Sequence, residues 1–157
     1  MNGMSDRVIP VNKAASSVLG NAKLYYKSDD AYGNNTLLGE SDEKNIDVET
    51  VSIDSMLTSL SIDRCDVVKI DVEGFEHFVV RGMINTIKSN PNIKIVLEFS
   101  PAFFKFLEFS PLDFIMELRE IGFRKIMKIN EFTGHLVNIT DNDLNSDNLF
   151  MCYLEKQ

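Results

Sequence analysis

The chain has 157 residues, and 44% of them are apolar, which is enough for one core and predicts a single domain over residues 1–157. Its formal net charge of -8 argues against a nucleic-acid binder or a protein held on an anionic membrane, because both need a positive surface. Residues 1–10 contain no apolar leader segment, and no apolar run is long enough to cross a bilayer. We therefore expect a cytoplasmic protein without membrane contact.

The first part of the chain alternates short apolar runs with polar turns. Three segments there are predicted strands: residues 8–14, 22–26 and 46–52. A long loop is expected over residues 28–45, which are polar and rich in Gly, Asn and Asp. Asp54 is a suitable N-cap for a short helix over residues 55–60.

From residue 66 onward, predicted strands alternate with predicted helices. Four further strands are expected, over residues 66–71, 93–98, 124–129 and 149–154. Apolar residues at helical spacing predict a helix over about residues 75–88. A second helix should begin at Ser110 as N-cap, with Pro111 at its first position and Asp113 two residues further on, and should end at Gly122.

This order of elements predicts an α/β fold. Parallel strands need a crossover connection, so strands that alternate with helices imply a parallel sheet with helices on its faces. The last two predicted strands are joined by a polar segment and should form an antiparallel pair.

Two carboxylates are expected at the carboxyl ends of neighbouring strands, where ligands bind in open parallel sheets: Asp71 and Glu98. Gly74 would let the chain turn sharply and approach a ligand closely. Glu73 and Glu76 lie where the N-terminus of the next helix favours negative charge, so the alternative is that these acids only stabilise the helix. We favour a functional role for Asp71 and a structural role for Glu76.

Residues 69–76, with the sequence Lys-Ile-Asp-Val-Glu-Gly-Phe-Glu, resemble the signature of the FkbM family of S-adenosylmethionine-dependent methyltransferases. Flanking segments resemble further parts of that family in the same order: residues 11–16, 50–57 and 95–98. The resemblance implies a three-layer, Rossmann-like sheet of the class I methyltransferase type. It also implies S-adenosylmethionine as cofactor and a hydroxyl of a sugar, lipid or natural product as methyl acceptor.

The resemblance also implies roles for individual residues. Lys13 and Ala14 would lie beside the adenine of the cofactor, and Gly74 would let the backbone approach it. Asp71 would face the methionine end of the cofactor or the acceptor hydroxyl, and Glu73 would hold the turn or contact substrate. Methyl transfer requires an aligned acceptor and removal of its proton, so Asp71 and Glu73 are the expected catalytic acids.

Glu98 and His77 are the expected substrate contacts. His77 stands in the first turn of a helix beside the acidic turn and could be a general base; the alternative is a solvent-exposed helical histidine. Asp71 and Glu98 could also hold Mg²⁺, but two carboxylates leave the metal unassigned. The phenylalanines between residues 99 and 114 could form a substrate lid, a dimer surface or part of the core.

The aspartate-rich residues 141–147 imitate the first half of a calcium-binding loop. Ser146 replaces the glycine that such a loop needs, and Cys152 replaces its final glutamate. We interpret this segment as an ordinary polar loop.

The resemblance begins at the third strand of the family, so the first two strands and the Gly-rich cofactor loop have no counterpart in this sequence. In the usual strand order, 3-2-1-4-5-7-6, those strands separate the third from the fourth. We expect either that residues 8–14 pair directly with residues 66–71, or that a second copy or a partner chain covers the open edges. The function is then either that of an O-methyltransferase domain needing the missing N-terminal half, or that of a non-catalytic binding or structural module.

Overall fold

The computed structural model describes residues 4, 6–26, 35–39, 44–107 and 109–156. Its strands are β1 Ala14–Ala15, β2 Gly20–Tyr25, β3 Asn45–Val51, β4 Val67–Ile70, β5 Lys94–Phe99, β6 Lys125–Ile129, β7 Leu136–Val137 and β8 Phe150–Glu155. Its helices are α1 Ile53–Ser59, α2 Glu76–Arg81, α3 Ile84–Ser89, α4 Pro111–Ile121 and α5 Asp141–Asn145, with a 3₁₀ helix over Pro101–Phe106. The α/β class is confirmed. Among the described helices, none has both the length and the apolar character needed to span a membrane.

The strands form two sheets. The larger sheet has the order β4-β5-β8-β6-β7, in which β4 and β5 are parallel and the other neighbours are antiparallel. The smaller sheet has the order β1-β3-β2, in which β1 is parallel to β3 and β2 is antiparallel to it. The predicted antiparallel pairing of residues 124–129 with residues 149–154 is confirmed, because β6 pairs with β8.

One face of the larger sheet carries the core. Ile95, Leu97 and Phe99 on β5 are buried, whereas the two residues between them are half-buried. β8 shows the same alternation. Buried residues of α2, α3 and α4 belong to the same hydrophobic cluster as these strands. In the described part of the chain the helices thus cover one face, which gives two layers, and the third expected layer is not seen there.

The predicted strand over residues 8–14 is wrong. Only Ala14 and Ala15 join a sheet, and they pair with Thr50 and Val51 of β3. Of the two alternatives expected for the open edges, the pairing of residues 8–14 with residues 66–71 is therefore also wrong. An apolar run becomes a strand only beside a neighbour that accepts its backbone hydrogen bonds, and a local pattern does not reveal that neighbour.

The helix predicted over residues 75–88 is interrupted between α2 and α3. Gly82 ends α2, and a Cβ atom there would lie 2.0 Å from the carbonyl oxygen of Ser16. The Gly82 carbonyl accepts a hydrogen bond from the backbone N–H of Asp54 at 2.9 Å. The break is therefore fixed by contacts with distant parts of the chain, and the amphipathic spacing continues across it.

Asp54 does not cap the helix that follows it. The N-cap of α1 is Ser52, so the helix begins two residues earlier than predicted. The Asp54 carboxylate instead accepts hydrogen bonds from two backbone N–H groups in the first turn of α3, at 3.0 and 2.7 Å. It also accepts one from the Thr86 hydroxyl at 2.6 Å. The N-cap position of α3 is Met83, and Asp54 supplies the capping hydrogen bonds from a distant part of the chain, so it caps a helix as its residue type suggested, but a different one.

The second predicted helix is confirmed as α4. Ser110 and Asp113 form a reciprocal capping box, and Gly122 ends the helix with a φ of 118°. The prediction of a polar loop over residues 141–147 is wrong, because α5 begins there with a second capping box, between Thr140 and Asp143. The hydrogen bond from Lys128, supported by that from Thr140, lowers the pKa of Asp143 to about 2.

Candidate functional site

A tight acidic turn over residues 71–75 connects β4 to α2. Asp71 directly follows the last residue of β4, so it lies at the carboxyl end of that strand. Glu73 has a φ of 52° and Gly74 a φ of 96°, so both residues have a left-handed backbone conformation. This conformation is unfavourable for a residue with a Cβ atom, and Glu73 must be held in it by its surroundings. The hydroxyl of Thr36 donates a hydrogen bond to the Glu73 carbonyl oxygen at 2.7 Å.

Three carboxylates converge beside this turn. One oxygen atom from each of Asp71, Glu73 and Glu98 lies within 4.8 Å of the others. Glu98 is on β5, the strand next to β4. The expected proximity of Asp71 and Glu98 follows from the parallel pairing of their strands, and Glu73 joins them through the left-handed turn.

The carboxylate cluster has unsatisfied hydrogen-bonding capacity. Burial raises the pKa of Glu98, the charges of Asp71 and Glu73 raise it further, and Lys69 lowers it. The Oε2 atom of Glu98 is buried and has no hydrogen-bond partner among the described residues. Lys69 forms an ion pair with Asp71, which offsets part of the negative charge. Such a cluster can take up a proton, accept a hydrogen bond from a ligand hydroxyl, or hold a hard cation such as Mg²⁺.

A cleft of about 760 Å³ opens beside Asp71. It is lined by residues before and within β1, by the β2–β3 hairpin and by the turn after β4: Val11, Asn12, Lys13, Ala14, Ala15, Leu24, Asn35, Leu37, Ile46, Asp47, Val48, Glu49, Asp71, Val72 and Phe75. The structure thus places Lys13, Ala14 and Asp71 in one cleft. Lys13 forms an ion pair with Glu49 at 2.7 Å, and its hydrogen bond lowers the pKa of that carboxyl.

The β2–β3 hairpin was not expected to contribute to the site. Leu24 and Ile46 are register partners in this hairpin, and both line the cleft together with Val48. The alternation over residues 46–52 predicts a half-exposed strand; the strand forms, but Ile46, one of its apolar residues, is 51% exposed. The pattern did not show that this exposed face lies opposite Asp71, because that depends on how the two sheets are arranged.

Gly74 is buried behind the turn. A Cβ atom at this position would lie 2.4 Å from the Cγ atom of Phe103, in the 3₁₀ helix after β5. The close approach that the glycine permits in this structure is therefore to the Phe103 ring, and Gly74 does not line the cleft. The expected contact of Gly74 with a cofactor stays a prediction.

His77 is buried among aromatic rings. The residue is only 3% exposed. Its ring centroid lies 3.8 Å from that of Phe78 and 5.9 Å from that of Phe109. Burial lowers the pKa of His77 to about 4, and the charge of Arg81 acts in the same direction. The interpretation of His77 as a solvent-exposed helical residue is wrong. His77 does not line the cleft beside Asp71.

The phenylalanine run after β5 contributes mainly to the core. Phe99, Phe104 and Phe114 are buried, and their ring centroids lie 5.5 to 5.9 Å apart. Phe103 covers Gly74, and Phe109 lies under the Arg81 guanidinium at 5.1 Å. Through these packing contacts the segment that follows β5 lies against the acidic turn and α2.

Sequence comparison supplies the family. A family model described as the Methyltransferase FkbM domain matches residues 5–125, which include the cleft, the acidic turn and β5. The chain belongs to the FkbM methyltransferase family. No curated protein and no solved structure matched the chain. The match to the FkbM domain thus contains Lys13, Ala14 and all three members of the carboxylate cluster, whereas β7, α5 and β8 lie beyond it.

Proposed function

We propose that this FkbM domain is an S-adenosylmethionine-dependent methyltransferase that methylates a hydroxyl group of a small sugar, lipid or natural product. The observation that carries the proposal is the position of Asp71. It belongs to the carboxylate cluster and also lines the cleft that contains Lys13 and Ala14. A ligand in the cleft can therefore reach the cluster through Asp71.

The cleft offers negatively charged acceptor groups that suit a cationic cofactor. S-adenosylmethionine carries a sulfonium and an ammonium group, and the acidic side chains of Asp47, Glu49 and Asp71 line the cleft. By their position in the family, Lys13 and Ala14 would lie beside the adenine. The bound cofactor would supply an activated methyl group, and the cleft would hold the acceptor in line with it.

The carboxylates would bind and deprotonate the acceptor. A hydroxyl that donates a hydrogen bond to Asp71 can lose its proton to that carboxylate as its oxygen becomes methylated. The raised pKa of Glu98 makes its ionised form a stronger proton acceptor than an ordinary glutamate. Glu73 would complete the cluster as the second catalytic acid, and Lys69 would limit the accumulated negative charge.

The strand order supports a Rossmann-like sheet of the class I type. β4, β5, β8 and β6 follow one another as strands four, five, seven and six do in the usual order 3-2-1-4-5-7-6. Among the described strands, β4 pairs with β5 alone, and Val67 on β4 is 66% exposed. An edge of this kind readily pairs with another strand. We therefore propose that a second copy or a partner chain covers this edge and contributes further cofactor contacts.

Two experiments test these proposals. In an NMR titration with S-adenosylmethionine, we expect shifts at Lys13, Ala14 and Asp71 that weaken in Asp71→Asn and persist in Glu120→Gln, an exposed acid on α4. A dissociation constant of about 1 mM corresponds to a binding free energy of about -4 kcal/mol. The absence of any shift at about 1 mM cofactor would therefore reject autonomous cofactor binding. Light scattering after size exclusion tests the covered edge, since a monomer in dilute solution would contradict self-association.

A further inference from the structure

The carboxyl group of Glu76 packs against the acidic turn and binds its backbone. This residue is the first of α2 and is only 6% exposed. Its Oε1 atom accepts hydrogen bonds from the backbone N–H groups of Val72 and Gly74, each at 3.2 Å. One carboxyl oxygen thus binds the residues immediately before and after Glu73.

These two hydrogen bonds act on the strained part of the turn. Glu73 has a φ of 52°, a conformation that is unfavourable in a residue with a side chain and persists only where neighbours hold it. The hydrogen bonds of Glu76 fix the Asp71–Val72 and Glu73–Gly74 peptide groups, which enclose the backbone of Val72 and Glu73. The Phe103 ring against Gly74 restricts the same turn from the other direction.

We propose that Glu76 is a positioning residue, whose carboxyl group holds residues 72–74 in the conformation that directs the Asp71 and Glu73 carboxylates toward Glu98. Glu76 acts through the backbone and does not line the cleft. The positioning itself stands on geometry alone. Its consequence for cofactor binding rests on the function proposed above.

Stabilisation of the N-terminus of α2 does not account for this arrangement. An acid with only that role can remain exposed and interact with N–H groups inside the helix. Glu76 is buried, and besides its own backbone N–H it binds those of Val72 and Gly74, which both precede α2. Burial also raises the pKa of Glu76, against the effect of the N–H groups that it binds. The fold therefore accommodates a costly buried carboxyl where it can bind the N–H groups of the turn.

Amide hydrogen exchange in two variants of the full chain tests the positioning role. Glu76→Gln keeps an acceptor oxygen and removes the charge, whereas Glu76→Met keeps the length of the side chain and removes the acceptor. We expect Val72 and Gly74 to exchange about tenfold faster in Glu76→Met, as the loss of hydrogen bonds of ordinary strength implies, and to stay protected in Glu76→Gln. Amides of β5 serve as the internal reference for global stability.

Two exchange results would overturn the proposal. Unchanged protection of Val72 and Gly74 in Glu76→Met would show that the turn does not need the acceptor. Equal loss of protection in both variants would show that charge, and not the hydrogen bonds, holds it. A strong intraresidue NOE between the amide and Hα protons of Glu73, expected in the wild type and in Glu76→Gln, reports the left-handed conformation directly.

Cofactor titration of the same proteins separates this inference from the proposed function. If the wild type binds S-adenosylmethionine, Glu76→Met should weaken the shifts at Asp71, and Glu76→Gln should preserve them. Equal cofactor binding by Glu76→Met, despite a loosened turn, would overturn the link between Glu76 and the site. If the wild type binds no cofactor, the proposed function of the isolated chain fails, while the exchange result still decides whether Glu76 positions the turn.

Discussion

Replacement of Glu76 with glutamine should stabilise the protein above neutral pH and leave its stability nearly unchanged below about pH 4.5. Burial raises the pKa of Glu76 from 4.5 to about 7 in the folded protein. The folded state thus binds the proton more tightly than the unfolded state. The resulting contribution to stability is fully present below pH 4.5 and is lost as the pH rises through about 7. At 1.36 kcal/mol per unit, the loss amounts to about 3 kcal/mol.

Urea unfolding of the wild type and Glu76→Gln across this pH range measures the effect. His77 must be separated from it, because its pKa is lowered from 6.5 to about 4, so its contribution to stability is lost as the pH falls through that interval. Both proteins contain His77, and the difference between their free energies of unfolding cancels its effect. That difference should grow with pH in favour of Glu76→Gln. Parallel stability curves would refute the assignment of a raised pKa to Glu76.

Three further substitutions test the packing and the site. Gly82→Ala should destabilise the protein by about 1–3 kcal/mol in urea unfolding, because its Cβ would meet the Ser16 carbonyl oxygen at 2.0 Å; a gain in stability would contradict the observed contact. Asp54→Ala should cost about 1–3 kcal/mol through the lost cap of α3, and Asp54→Asn, which retains an acceptor, should cost less; equal losses would argue against the cap. Glu98→Gln should raise the thermal midpoint of unfolding at neutral pH, because it removes the charge of a carboxyl whose pKa is raised by burial and by the charge of Asp71. The same variant should weaken any cofactor-induced shifts. A lower midpoint would count against repulsion in the cluster.

The elements that could be predicted are those whose signals are local. Helix α4 has its cap, its first-turn proline and its terminating glycine within its own sequence, and each of them acts as expected. β5 and β8 alternate or cluster apolar residues over their whole length, so their existence and their faces were readable. Local consistency of this kind needs no knowledge of the neighbouring elements.

The elements that could not be predicted depend on distant partners. Asp54 caps a helix that begins 30 residues later, and the break at Gly82 is set by the backbone of Ser16. Residues 8–14 have the composition of a strand, but only Ala14 and Ala15 meet a neighbour. His77 looked exposed because it is polar and near a helix N-terminus, yet the phenylalanines that bury it come mostly from another part of the chain. Each error comes from a tertiary contact that overrides a local preference.

The site was partly readable for the same reason. Asp71 and Glu98 end a run of apolar residues in adjacent parallel strands, so their proximity follows from the strand pattern. The participation of Glu73 in the cluster depends on a backbone conformation that residues with side chains rarely adopt. The hairpin wall, with Leu24 and Ile46, depends on how the smaller sheet lies against the turn. Strand ends are visible in a sequence, whereas the shape of a cleft is not.

Backbone strain and buried polar groups lower the stability of a fold, and their location bears on whether the domain is catalytic or only structural. Within one turn and its neighbours the fold holds a left-handed Glu73, a buried Glu76 with a raised pKa and a Glu98 oxygen without a hydrogen-bond partner among the described residues. A buried acceptor without a partner costs about 1–3 kcal/mol, and a strained backbone residue costs a similar amount. Elsewhere the described caps and ion pairs, such as those of Ser110 and Asp143, are satisfied by their neighbours, although Ser61, which does not line the cleft, also has a positive φ of 55°. A purely structural module gains nothing from concentrating these costs beside a cleft, whereas a site that must take up a proton or a ligand requires unsatisfied groups there.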